Sequence, residues 1–366
     1  MIKEGKIGVQ EAVCLITIAI TTRVFFTSPG VLADVLGTTG WYMTLISAVG
    51  GVLGFTFVYL LLKRFPGKNL VEIFDKVFGR WLGFAVSFLL AVIFMLNAAI
   101  MLREFTDVMK VYVLELSPSA FIMGIFVIGV AVAAFMGLEA IARFSKLIAY
   151  FLLTAFIAVL VLSWQNYEVH RLTPLLGNGL DKTLYHGVLR STVYADVIIL
   201  GVIAGPMQGA KHIKKAGYLA ILLSGLLISV SFIAFSLTFP YYTAAEITAP
   251  MYQMASLIDY GRFIQRLESL FLFVWNISTF VSVSISFYIS LSVYSKVFRI
   301  QNMRPIILPA SFILITLALI PKDIVSVVKG YVHVIRQSGW MVFFVPPILA
   351  LGIAKIRRLK GGAQDA

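Results

Sequence analysis

The chain has 366 residues, 60% of them apolar and only 13% charged, with a mean hydropathy of +0.95. Soluble domains carry about 25% charged residues, so the composition excludes a soluble enzyme or binding module and predicts a polytopic membrane protein. The net charge of +13 is spread over short loops between apolar runs, which is a topology signal and not a nucleic-acid footprint.

About 20 apolar residues span a bilayer core. Ten such segments are predicted, at roughly 8–37, 41–62, 82–114, 119–136, 141–164, 187–209, 217–239, 266–295, 305–320 and 338–355. Lys3 and Lys6 precede the first run as in a signal peptide. The run is too long for one and has no small-residue cleavage site, so it reads as a retained first helix. An even count puts both ends on one side of the membrane. Loops on that side hold about twice as many lysines and arginines as the opposite loops, where Lys182, Arg190 and Arg262 lie, so both termini are expected in the cytoplasm.

The first segment carries Thr21-Thr22-Arg23 and Thr27-Ser28-Pro29-Gly30 in its middle. Pro29 has no amide hydrogen, and an arginine at bilayer depth costs about 2.5–3.5 kcal/mol unless it is turned inward or paired. Two readings stand: a broken helix whose unwound centre belongs to a solute site, or a proline kink with threonines bonded back to their own helix. In the third segment Asn97 has apolar neighbours on both sides and needs partners, while Arg103 and Asp107 sit one turn apart as an ordinary pair. Glu139 and Arg143 are spaced alike near the start of the fifth. Lys146, one turn deeper, either snorkels to the interface or places its ammonium at a cation position between the first and eighth segments, replacing a bound sodium.

Residues 165–186 form a polar connection. The sixth segment then holds Ser191, Thr192, Tyr194 and Asp196 near its middle, and Gly201, Gly205, Pro206 and Gly209 toward its end. Which cluster marks an interruption is open; Asp196 is favoured, and close helix packing is the other reading of the glycines. An acidic group at this depth is a site candidate. Arg23, a tyrosine hydroxyl or a proton would partner it, and a purely structural Arg23–Asp196 ion pair is the alternative. Interruptions in segments one and six, each opening a run of five, are the pattern of an inverted-repeat transporter. The repeats would cover about 8–164 and 187–355, in a single transmembrane domain with a cytoplasmic tail at 356–366.

Met251–Ile264 and Lys322–Arg336 read as amphipathic runs at the membrane surface. In the eighth segment Ser278, Ser282 and Ser286 recur every four residues on one face, to line a cavity or to let helices pack closely. The four histidines have no metal-ligand spacing, the lone Cys14 allows no disulfide framework, and no cofactor is expected. No nucleophile elbow, zinc helix or phosphate loop is present, so no enzyme is expected.

Four motifs in order carry a family resemblance over nearly the whole chain: Phe26-Thr27-Ser28-Pro29-Gly30-Val31-Leu32, Gly137-Leu138-Glu139-Ala140-Ile141-Ala142-Arg143, Leu172-Thr173-Pro174-Leu175-Leu176-Gly177, and Phe263-Ile264-Gln265-Arg266-Leu267-Glu268 followed by Trp275. Together they resemble the spore germination permease family, the B-type subunits of endospore germinant receptors, within the amino acid–polyamine–organocation transporter superfamily. The resemblance implies an all-α, LeuT-like fold of ten transmembrane helices in two inverted five-helix repeats, with helices 1 and 6 broken. It also implies a small germinant, often an amino acid, sensed in the spore inner membrane beside an A-type membrane subunit and a C-type lipoprotein. Where the superfamily's first break is usually glycine-rich, this chain has Thr22-Arg23-Val24, so Arg23 would supply the contact to a ligand carboxylate.

The expected site therefore lies between segments one, three, six and eight. Thr22, Arg23 and Thr27 would hold an anionic group. Asn97, Asp196, Ser278 and Ser282 would complete the polar wall, and Phe26, Ile93 and Val193 would meet the apolar part. A proton- or sodium-coupled amino acid transporter would use the same pocket.

Overall fold

The computed structural model of the chain describes residues 5–25, 28–244, 246–247, 249–261, 267–321, 330 and 333–361. The apolar runs fold as helices because in hydrocarbon each backbone amide has to be satisfied within its own segment. In chain order these are α1 (Val9–Thr21), α2 (Ser28–Leu36), α3 (Gly40–Arg64), α4 (Leu70–Phe78), α5 (Arg80–Tyr112), α6 (Ser119–Met136), α7 (Leu138–Leu162), α8 (Leu180–Leu189) and α9 (Ile199–Val202). Then come α10 (Ala210–Thr238), α11 (Tyr241–Ala244), α12 (Pro250–Ser256), α13 (Leu267–Val297), α14 (Arg304–Leu319), α15 (His333–Phe343) and α16 (Val345–Ile356). Among the described residues, 7 helical stretches are long and apolar enough to cross a membrane, and α1 and α14 are shorter apolar helices.

Both expected interruptions are present. After Thr21 the first segment tightens into a 3₁₀ turn, Thr22–Phe25, and resumes as α2. Pro29 sits in the first turn of α2, where its missing amide costs nothing. The sixth segment starts at Leu180, earlier than the expected 187, because Gly179 at φ +121° turns the chain inward there. Its helix gives way to a 3₁₀ stretch, Arg190–Ile198, which includes Asp196. Arg190, counted above with the loop cations, is thus buried inside the second break. Gly201 follows the packing reading, since a Cβ there would lie 2.6 Å from the Leu70 side chain.

Three further differences have local causes. The loop after α3 contains the amphipathic α4, started by a reciprocal capping box between Asn69 and Glu72 and burying Leu70, Ile73, Phe74 and Val77. The tenth segment is two helices, since Pro346 and Pro347 start α16 afresh. Among the described residues of the run expected over 251–264, the helix is α12; the Asp259 side chain accepts the Gly261 amide, and Gly261 has φ +70°. Residues 262–266, 322–329 and 331–332, which hold parts of that run and of the expected Lys322–Arg336 helix, lie outside the described residues.

The two broken segments are tied together on the side of the N-terminus, where the Ile7 amide donates to the Pro206 carbonyl at 3.2 Å. Helix α3 braces the second break: Ser47 Oγ donates to the Gly187 carbonyl (2.8 Å) and Tyr194 Oη to the Thr44 carbonyl (3.1 Å). Helix α15 adds the Trp340 amide, donated to Thr192 Oγ1 at 2.9 Å. Ser290 Oγ of α13 donates to the Ala91 carbonyl of α5 at 2.7 Å, and these two helices close the remaining sides of the crossing.

Candidate functional site

A 3₁₀ stretch inside a membrane helix leaves carbonyls without their i+4 amide partners. Both breaks do this, and Arg23 bridges them. Its Nη2 donates to Asp196 Oδ2 at 2.7 Å and to Asn97 Oδ1 at 3.4 Å, while Nη1 reaches the carbonyls of Val193 (3.3 Å) and Thr192 (3.5 Å). Asn97 of α5 uses its other end to donate from Nδ2 to Ser286 Oγ of α13 (3.1 Å). Three chain segments therefore meet on one guanidinium, α13 joins through Asn97, and Arg23, Asn97 and Asp196 are all buried. The second oxygen of the acid, Asp196 Oδ1, is buried with no hydrogen-bond partner. A carboxylate has about four lone-pair sites, so this one keeps unused acceptor capacity.

A second cluster lies on the other face of the first break. Ser282 Oγ donates to Thr22 Oγ1 (2.8 Å), and Thr22 Oγ1 donates to the Ile18 carbonyl (2.6 Å), with the Ser278 carbonyl 3.3 Å away. Ser278 Oγ donates to the Trp275 carbonyl at 2.9 Å. These are hard, neutral oxygens, the donor type that alkali and alkaline-earth cations take, though here they bond to one another. The serine stripe thus splits its roles. Ser278 and Ser282 serve this cluster, and Ser286 serves Asn97.

Of the expected site residues, Arg23, Asn97 and Asp196 come together, with the Val193 backbone added, and Thr22, Ser278 and Ser282 form the adjacent group. Ile93 lies half-buried on α5, one turn before Asn97. Phe26 and Thr27 fall outside the described residues. Lys146 is a correction: its ammonium bonds Glu11 Oε1 at 2.6 Å in the first turn of α1. That is about 16 Å along the helix from Thr22, so it does not stand in for a cation at the break. The cause is its partner, the Glu11 carboxylate at the start of α1, which holds the ammonium away from the break.

Sequence reasoning also missed Arg190. Together with Arg23, Thr44, Ser47 and Tyr194 it lines a recess of about 30 Å³ beside the ion pair, room for about one water molecule. The crossing is closed around its own charges, and a solute enters only if the segments part.

Comparison with known proteins agrees with this architecture. The family model described as "Spore germination protein" matches residues 6–327. Among curated Bacillus subtilis (strain 168) proteins, the chain is 23% identical to spore germination protein KB over 100% of its own length and 99% of that protein's. It is 24% identical to spore germination protein YndE over 87% and 88% of the two chains. It is 22% identical to spore germination protein A2 over 97% of each. Among solved structures, a substrate-bound Na+-coupled sialic acid symporter in an outward-open state superposes with a TM-score of 0.70 at 9% identity, covering 94% of this chain and 80% of that one. A nucleobase-cation-symport-1 family transporter in a closed conformation superposes at 0.64 with 11% identity, covering 96% and 94%. At such identities the structures speak for the fold alone, which is LeuT-like, as the two broken segments indicate. With a family model spanning most of its length and germination proteins aligned from end to end, the chain belongs to the spore germination protein family.

Proposed function

We propose that this chain is the solute-sensing membrane subunit of a germinant receptor. It binds a small zwitterion, an amino acid in class, where the two breaks cross. It sits in the spore inner membrane with both termini on the core side, beside an A-type membrane subunit and a C-type lipoprotein, and relays binding to them as a shift between helix arrangements. The observation that carries the reading is the buried Arg23–Asp196 pair between the two breaks, with Asp196 Oδ1 left unpartnered. A ligand carboxylate would share the guanidinium with Asp196 through a charge-assisted bond. A ligand ammonium would take the free carboxylate oxygen and a carbonyl of Thr192 or Val193. One molecule carrying both groups satisfies both sides without leaving a net charge at depth, which is the costly outcome. The similarity to germination proteins over the full length supports the setting.

The test is binding by the purified chain in detergent, read as a thermal-unfolding shift against amino acids, their amides, their decarboxylated amines and nucleosides. At least one free amino acid is expected to raise the midpoint, and its amide and amine are expected to do so far less. A shift from nucleosides and from no amino acid would overturn the zwitterion reading.

A further inference from the structure

Away from the crossing, the lipid-facing surface opens into a groove of about 640 Å³ between α1, α7 and α10. Its floor is α1, at Val13, Cys14 and Thr17, and its walls include Leu153 on α7 and Leu223 on α10. The two wall leucines are 41% and 42% exposed, so the groove is open sideways to the bilayer. Thr17 Oγ1 is buried there with no hydrogen-bond partner. The two ends differ in chemistry. Lys215, exposed in the second turn of α10, stands at the end where Ile7 pairs beside α10. Thr21 and Ser278 close the other end, at the foot of the first break.

Along α1 the groove runs from Val9 to Thr21, about 18 Å at 1.5 Å per residue. That is close to one leaflet of a hydrocarbon core ~30 Å thick. A membrane-spanning partner helix would need a track through both leaflets, and this lining ends at Thr21 on α1 and at Ser231 on α10, short of that helix's end at Thr238. A cation at the bilayer surface, then an apolar run one leaflet long, is complementary to an amphiphile with an anionic head. We propose that the groove is a site for an anionic phospholipid of the surrounding bilayer. Its headgroup phosphate lies on Lys215 and one acyl chain lies along α1, with its end against Thr21. Lipid in this position fills the space under the first break and holds α1 between α7 and α10, whether or not the crossing above binds an amino acid.

The experiment uses the full chain, delipidated in detergent and titrated with dioleoyl-phosphatidylglycerol or dioleoyl-phosphatidylcholine, with retained lipid counted by native mass spectrometry. Retention of the glycerol lipid about fivefold above the choline lipid is expected, the scale of one lysine near an anionic surface. Lys215→Gln should level the two. Leu223→Trp and Leu153→Trp, which fill the groove from opposite walls, should each remove the retained lipid while leaving the unfolding midpoint of the delipidated chain in place. Both wall residues face lipid, so neither change disturbs the core. The proposal fails if the two lipids are retained equally by the native chain, or if both tryptophan variants hold phosphatidylglycerol as the native chain does. It fails also if Cys14 is shielded from N-ethylmaleimide by a co-purified membrane protein and never by lipid, which would assign the groove to a partner helix.

Discussion

Arg23 and Asp196 neutralise each other at a depth where neither reaches bulk water. Truncating one partner of a buried ion pair strands the other charge, at a cost of about 3–5 kcal/mol, whereas replacing both by apolar groups of similar size is often neutral. Arg23→Ala should therefore lower the unfolding free energy by about 3–5 kcal/mol and abolish any solute-induced shift. The double change Arg23→Met with Asp196→Leu should regain most of that stability and still show no shift. Thermal unfolding of the three proteins, with and without solute, separates the structural cost from the binding role; a solute response surviving in the double variant removes the pair from the site. Both residues were legible in the sequence because a charge in an apolar run is too expensive to be incidental. Arg190 was not, since in the sequence it stands beside a polar connection, where an arginine needs no explanation. For Lys146 the sequence left two readings, and the partner that decides against the cation position, Glu11, is 135 residues away, where no local spacing links them.

The second break is shaped by α3, which presses against it without side chains in the way. A Cβ on Gly51 would lie 2.6 Å from Tyr194 Cβ, and one on Gly50 would lie 2.7 Å from Ser191 Cβ. Tyr194 cannot retreat freely, because its hydroxyl is held by the Thr44 carbonyl and its ring is buried. The extra volume of Gly51→Val would have to move the 3₁₀ stretch itself. Overpacking of this kind costs about 1–3 kcal/mol, and the displaced Val193 and Asp196 would lose their bonds to Arg23. Gly51→Val is accordingly expected to unfold at lower temperature and to lose solute binding. Gly124→Ala, where a Cβ meets nothing within 4 Å, should match the native chain in both measurements. Native-like binding by Gly51→Val would show that the break tolerates displacement. Elements of this size were unevenly legible. Helix α6 coincides with the expected 119–136, since its hydropathy falls off sharply at Pro118 and Gly137. The start of α8 and the whole of α4 escaped, although Asn69 and Glu72 stand at capping-box spacing. Short amphipathic helices carry too few apolar residues to register in a count of spans.

At the scale of the molecule, the described residues close the crossing on two sides. Toward the N-terminus, the Ile7–Pro206 backbone bond and the Glu11–Lys146 ion pair hold the broken segments and α7 together. Toward the other side, only about 30 Å³ remains between Arg23 and Arg190. A sensor needs one of these closures to yield and the resulting shift to reach a partner; a transporter needs both to yield in turn. Coupled transport also needs a charge at the site that changes with the driving ion. The Arg23 guanidinium already compensates the nearest carboxylate, Asp196. The Thr22, Ser278 and Ser282 oxygens could hold a cation, but only by giving up bonds they make to one another and to Ile18. Proteoliposomes containing this chain alone are therefore expected to accumulate no labelled amino acid above empty vesicles under an imposed proton or sodium gradient. The amino acid that raises the unfolding midpoint of the purified chain is the one to use. Uptake against its gradient would mean that both closures open without partner subunits, and the chain would then be an autonomous transporter using the same crossing.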